Sequence, residues 1–248
     1  MIYYKLTTSV LPEETGIGTQ IQEAMMSATH RDQLYPNIDH SIGRIAEGSQ
    51  FMHYKLHGKA KWTDLLNCVF LFHPTTLLVT EKALFVFKQF DLPTYQVFDA
   101  LVHKRGKQKS YYIFHLVGDY AQDFVDWEKS TFVKAGKQMF TGMRHYRPIV
   151  DKVTIYNLQD YRQKKNLMRC NEDLFAGLVY QTLHLTQSIQ KDLFCTKTPL
   201  LGMYCSKRFK AGIEAAGLTG FRFEEMPSIL TNTNLIYLDK DTGLPIEG

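Results

Sequence analysis

LLVTEKALFVFKQFDLPTYQVFD, Leu77 to Asp99, and MYCSKRFKAGIEAAGLTGFRFEE, Met203 to Glu225, state one structural phrase twice, 126 positions apart. Each reads as a short apolar strand, a Thr or Ser, a helix of about ten residues, a Leu turn and a second short strand. In the second copy Phe209, Gly212, Ile213 and Ala216 fall at i, i+3, i+4 and i+7 and share one helix face, while Lys207, Arg208, Lys210 and Glu214 fall off that stripe. Ala83, Val86, Phe87 and Phe90 keep the same register in the first copy. Thr80 and Ser206 stand at the N-cap positions, where a hydroxyl accepts from a backbone N–H that the helix leaves unpaired. Gly217 suits the left-handed residue that ends a helix, and Leu218 can fold back on the last turn; Asp91 and Leu92 fill those slots in the first copy. Tyr95 with Val97, and Phe221 with Phe223, alternate as one face of a strand. The run ALFVF also fits a strand, since a short apolar run has no decisive period.

Around these units, Met1 to Thr8, Phe51 to His57, Val150 to Asn157 and Leu235 to Leu238 read as strands. Gln20 to Ala28 and Trp62 to Leu66 read as short helices, and Asp160 to Glu172 as an exposed polar stretch. Leu178 to Leu185 and Ile189 to Cys195 fit either strand or helix. The expected fold class is α+β, with mixed or antiparallel sheets, a few short helices and the two similar strand–helix–strand units 77–99 and 203–225. At 248 residues the chain can bury a full core, as one large domain or two intimately packed halves. Its 44% hydrophobic and 22% charged residues exclude a disordered chain. No run approaches the ~20 apolar residues of a membrane helix. MIYYKLTTSV lacks the basic start and apolar core of a signal peptide, so a cytoplasmic protein without a membrane partner is expected. Cys68, Cys170, Cys195 and Cys205 show no CxxC spacing and no disulfide framework; Cys68 and Cys205 read as buried thiols.

Reaction chemistry is sparse. GIGTQI at Gly16 lacks both the full dinucleotide fingerprint and a phosphate-loop Lys. His53 and His57 are four apart but sit in a strand-like run, which splays them. The densest carboxylates are Asp119, Asp123, Asp126 and Glu128, a set that could serve acid/base work if it converged. No cofactor, metal or catalytic residue is assigned. The net charge is +4, with basic clusters at His103 to Lys109 (HKRGKQK) and Arg162 to Lys165. The first lies between two strand-like runs and reads as a solvated hairpin loop. Nucleic acid is not an expected partner, because it calls for a broader basic stripe.

Three phrases in order carry a family resemblance: Leu77 to Phe98; Tyr111 to Leu116 followed by Asp126-Trp127-Glu128-Lys129-Ser130; and Cys205-Ser206 through Gly217-Leu218-Thr219-Gly220-Phe221. Together they resemble the immunity proteins encoded beside bacterial polymorphic toxins, a former domain of unknown function known as a Myxococcus-type immunity domain. The resemblance spans residues 60 to 230. It implies an immunity-like domain over 61–230, after an N-terminal strand and loop region, 1–60, and before a C-terminal strand and tail, 231–248, all in one compact unit. It implies a non-enzymatic antidote that binds a cognate toxin and neutralises it stoichiometrically. Asp126, Trp127, Glu128, Ser130, Ser206, Gly217 and Gly220 are the motif residues, expected to be structural, with Asp126 and Ser130 fixing a turn. The expected partner-binding residues are Leu84 and Phe85 on the first helix and Lys104, Arg105 and Lys107 in the basic loop. Two readings stand beside this one: a hydrolase-like enzyme using the Asp119–Glu128 carboxylates, and a nucleic-acid-binding module using the basic clusters.

Overall fold

The computed structural model describes residues 2–25, 43–46, 53–69, 75–141, 144–169 and 176–238. Cys170 and the end of the expected tail, 239–248, lie outside them. The chain runs β1 (Tyr3–Thr8), α1 (Pro12–Thr15), β2 (Ile21–Met25), β3 (His53–Leu56), β4 (Leu65–Leu66), β5 (Thr76–Val79), α2 (Glu81–Phe87), β6 (Tyr95–Lys104) and β7 (Lys107–Leu116). It continues as α3 (Ala121–Phe124), β8 (Val125–Ala135), β9 (Met139–Thr141), β10 (Arg144–Val153), α4 (Leu158–Leu167) and β11 (Gly177–Leu185). It closes with β12 (Leu193–Thr196), β13 (Gly202–Ser206), α5 (Lys207–Ala215), β14 (Phe221–Glu225), β15 (Ile229–Thr231) and β16 (Leu235–Ile236). The fold is α+β, and none of the described helices is long and apolar enough to cross a membrane.

The two copies of the repeated phrase adopt the same topology. In one sheet the order is β2-β3-β6-β7-β5-β4; in the other it is β12-β13-β1-β14. β7 lies between β5 and β6 and is antiparallel to both, and β1 lies in the same way between β13 and β14. Each unit is therefore a parallel strand pair bridged by a helix, with an antiparallel strand inserted between the pair. A further short strand extends each sheet, β4 beside β5 and β12 beside β13. α2 packs on β7, α5 on β1 and β13, and the two helices on each other. Phe87 is the hub of the shared core, with ring centroids 5.2 Å from Phe114, 5.2 Å from Phe209 and 6.0 Å from Phe221.

Two local readings are corrected, and the polar stretch, exposed as expected over most of its described length, gains an element. Residues 21–25 form strand β2, and Leu65–Leu66 form strand β4, where short helices were expected; their hydrogen-bond partners, β3 and β5, are distant in sequence. The polar stretch after Asn157 is helix α4, because the Asn157 side chain caps it by accepting from Asp160 N at 2.9 Å. Only Leu158 and Tyr161 of that helix are buried, too few to write a period into the sequence.

Contacts divide the chain into two units that differ from the expected single unit with boundaries at 60 and 230. The first joins Met1–Tyr120 to Gln190–Met226 and holds both repeat sheets; the second joins Ala121–Ile189 to Pro227–Gly248. The expected N-terminal region supplies β1, a central strand, so it is inseparable from the repeat. The second unit is a mixed sheet ordered β15-β11-β8-β10-β16, with β9 also on β10. In it Tyr161 of α4 packs against Trp127 and Phe132 of β8.

Candidate interaction surface

Two segments that are far apart in sequence meet at one end of the β3–β6–β7 sheet. β6 and β7 pair over their whole length, from Tyr95 with Leu116 to Lys104 with Lys107. The turn is only Arg105–Gly106, with φ of 48° and 76°, the pair of positive values that a two-residue primed hairpin turn requires. The basic run is therefore strand down to the tip, not a loop. Alternation puts Lys107 and Lys109 on the face of β7 that carries buried Tyr111 and Ile113 further in, and Lys104 on the matching face of β6 with buried Ala100 and Val102. The apolar core of that face thus ends in a basic margin.

The loop after β3 completes this margin. Lys104 Nζ donates to Ala60 O, Lys109 Nζ stands 4.8 Å above the Trp62 ring, and Trp62 stacks on Tyr111 with centroids 6.1 Å apart. Arg105 lies over Gly58, its guanidinium 3.4 Å from where a Cβ would stand, an ordinary packing distance. The loop is held from behind. Lys61 N donates to Thr15 O at 2.7 Å, Gln20 Nε2 to Lys61 O at 3.0 Å, and Tyr111 Oη to Thr63 O at 2.8 Å. Gly16, with φ of 78°, allows the closest approach, because a Cβ would come within 2.3 Å of Lys59 O. Burial first, and then the Asp64 charge, raise the Tyr111 phenol well above its ordinary pKa, so it stays a donor. Burial and the neighbouring Arg105 charge lower the Lys104 ammonium.

Lys59, Lys61, Lys104, Arg105, Lys107 and Lys109 form this surface, and among the described residues none of the six forms an ion pair. Some cations elsewhere do, among them Lys55 with Glu23, Lys191 with Asp91 and Arg208 with Asp192, while isolated ones such as Lys82 and Lys88 do not; what sets the hairpin end apart is several such cations side by side. Sequence reading singled out Lys104, Arg105 and Lys107 but missed Lys59, Lys61 and Trp62, which join them through the β3–β6 pairing and the contacts of the loop with Lys104, Lys109 and Tyr111. Of the expected helix residues, Phe85 is 69% exposed, whereas Leu84 is 6% exposed and belongs to the core, so Leu84 is not a surface residue.

The motif residues are placed by hydrogen bonding and packing. Ser130 Oγ donates to Asp126 O at 2.6 Å and accepts from His184 N at 3.0 Å, while Asp126 Oδ1 accepts from Lys129 N at 3.2 Å; side chains fix the bend in β8. Trp127 is buried and stacks on Phe132 at 5.8 Å. Glu128 is exposed at a groove of about 670 Å³ in the second unit, lined also by Trp127, Lys152 and Tyr156. Ser206 Oγ accepts from Phe209 N at 3.1 Å as the N-cap. Gly217 has φ of 61°, and Gly220 packs so closely that a Cβ would lie 2.1 Å from Leu65 O.

Two of the four carboxylates of the enzymatic reading, Asp119 and Asp126, have local partners. Asp119 accepts from Lys197 N at 3.2 Å in the first unit. In the second, Asp126 is turned to Lys129, whose hydrogen bond, outweighing burial, holds the acid below its usual range. His53 stacks on His103 at 5.6 Å, and His57 Nδ1 accepts from Lys59 N, so the two His of that spacing serve different contacts.

Sequence reading also missed two acids that tie the repeat together. Asp64 Oδ1 accepts from the Thr80 hydroxyl at 2.8 Å, and Asp192 Oδ1 from the Ser206 hydroxyl at 2.7 Å, so each acid braces the N-cap of its own unit. Their second oxygens cross over. Asp64 Oδ2 accepts from Thr219 N at 3.0 Å, after α5, and Asp192 Oδ2 from Asp91 N at 2.9 Å, after α2. The signal was present as Asp64-Leu65-Leu66 and Asp192-Leu193-Phe194, an acid before an apolar pair ahead of each copy. No protein-family model matches the sequence, and no curated protein matches it.

Proposed function

We propose that this chain is an immunity protein, a cytoplasmic antidote that binds a cognate bacterial toxin and neutralises it as a stoichiometric complex, transforming no substrate. The observation that carries the reading is the basic, Trp-bearing end of the β6–β7 hairpin, whose six cations have no carboxylate partner among the described residues. A surface of charge left without a counter-charge, on a backbone pinned from behind, suits recognition by complementarity. The resemblance carried by the phrase order of the sequence is what favours a toxin as the partner. Asp119 and Asp126, the acids of the hydrolase alternative, are engaged with Lys197 N and Lys129, roles suited to structure.

Co-expression with the toxin gene beside this one tests the reading. Survival of the host and a one-to-one complex on size-exclusion chromatography are expected. Killing that continues, with no complex formed, rejects it.

A further inference from the structure

We infer that the basic end of the β6–β7 hairpin receives a carboxylate-rich surface of the toxin; this rests on the antidote reading and names the chemistry of the partner's face. Six cations gathered from residues 59–61 and 104–109 repel one another, and their ordinary relief would be local acids. The paired cations elsewhere have that relief, whereas Lys104, Arg105, Lys107 and Lys109, neighbours around the β6–β7 turn, form no ion pair among the described residues. An acidic partner surface supplies it on binding. Lys107 and Lys109 are exposed on one face of β7, and the two-residue turn holds that face without loop freedom, so little order is lost on docking.

A protein carboxylate fits this surface better than a nucleic acid. Single-strand binding wants open aromatic faces for bases. Trp62 is already stacked on Tyr111 and covered by the Lys109 ammonium, so it serves to position a cation. The Lys61 ammonium likewise donates to Glu13 O at 2.7 Å, which fixes its direction.

The test measures association of the full chain with the toxin encoded beside it, by stopped flow, between about 50 and about 300 mM salt. Wild type is expected to slow about tenfold or more across that range. Lys107→Glu/Lys109→Glu and Lys59→Glu/Lys107→Glu are each expected to slow association at low salt by about tenfold or more and to flatten the salt dependence. Lys82→Glu/Lys88→Glu, exposed on α2 and at its C-cap, is expected to stay within about twofold of wild type. Melting curves confirm that each variant folds; the two hairpin pairs share only one residue, so either can carry the test. A wild-type complex whose rate ignores both hairpin reversals overturns this inference and leaves the antidote reading standing. No wild-type complex overturns both. Salt-dependent binding to mixed-sequence RNA that both hairpin reversals abolish, with toxin association untouched by them, assigns the surface to nucleic acid and overturns the inference.

Discussion

Gly212 has no side chain where its counterpart in the first copy, Val86, has an isopropyl group, and Phe90 accounts for the difference. A Cβ on Gly212 would stand 2.3 Å from Phe90 Cζ, and that ring is held at 5.0 Å from Phe209. Phe90 is large where its own counterpart, Ala216, is small, so the two helices interlock by exchanging large and small residues. Gly212→Ala sets a helix-propensity gain of about 1 kcal/mol against overpacking of about 1–3 kcal/mol. A net loss of about 1 kcal/mol is expected in urea denaturation, recovered in part by Phe90→Leu. The stripe containing Gly212 was legible from spacing; its partner was not, because periodicity gives a face and not what the face meets. Asp192 is a second residue whose worth lies in its partners. Burial alone would raise its carboxyl, but hydrogen bonds from Arg208, Ser206 and Asp91 N outweigh burial and hold it below the ordinary range. A folded value below the unfolded one means that this stability is present above about pH 4 and is lost as pH falls through the folded value. Asp192→Asn is expected to cost about 1–3 kcal/mol at neutral pH and to lessen the decline in unfolding free energy below about pH 4. An unchanged acid-side slope would reject the assignment.

At the scale of elements, helices α2 and α5 could be read from the sequence because each writes its own period and its own cap. β4 and β12 could not, since a two- or four-residue strand is defined by its neighbour across the sheet. The β6–β7 hairpin falls between these cases. Its strands were visible, but the basic run looked like a loop because Lys107 to Ser110 are exposed and polar on both faces. Pairing continues there because the turn is short and the register is already fixed by Tyr111, Ile113 and Phe114. The turn has a local conflict: Arg105 takes φ of 48°, which costs a non-glycine residue about 1 kcal/mol, least for Asn. Arg105→Asn is therefore expected to raise stability by about 0.5–1 kcal/mol while slowing association with the toxin at low salt. Chemical denaturation and binding kinetics on the same variant separate the two effects. A variant that gained neither stability nor a binding defect would show Arg105 to be indifferent to both fold and surface.

For the molecule as a whole, the repeat is tied together by exchange. Each unit's acid braces the residue that caps its own helix and accepts from the turn after the other unit's helix, and Gly220 of the second unit presses on Leu65 of the first. The sequence displayed the two copies but not this reciprocity, which links Asp64 to Thr219 across 155 positions. Nor did it display the strand that each copy borrows: β7 follows its helix along the chain, whereas β1 reaches the second copy from more than 200 positions away, pairing Tyr4 with Cys205 and Glu225. That topology makes residues 3–8 structurally central. Tyr3 and Leu6 are 3% and 4% exposed, Tyr3 packs edge-on against Phe194 at 5.4 Å, and Ser9 N donates to Gly220 O at 2.8 Å. Removing them would leave β13 and β14 with facing rows of unpaired backbone groups, each buried one costing about 1–3 kcal/mol, more than a typical domain's margin of about 5–15 kcal/mol in total can absorb. Deletion of residues 1–9 is expected to abolish the cooperative melt of the first unit. A synthetic peptide of residues 1–10 is expected to restore it in a concentration-dependent way, because the gap it fills is a strand with two waiting partners. A deletion variant that still melts cooperatively without the peptide would mean that α2, α5 and their sheets close without β1, and the equivalence of the two units would then be one of sequence pattern alone.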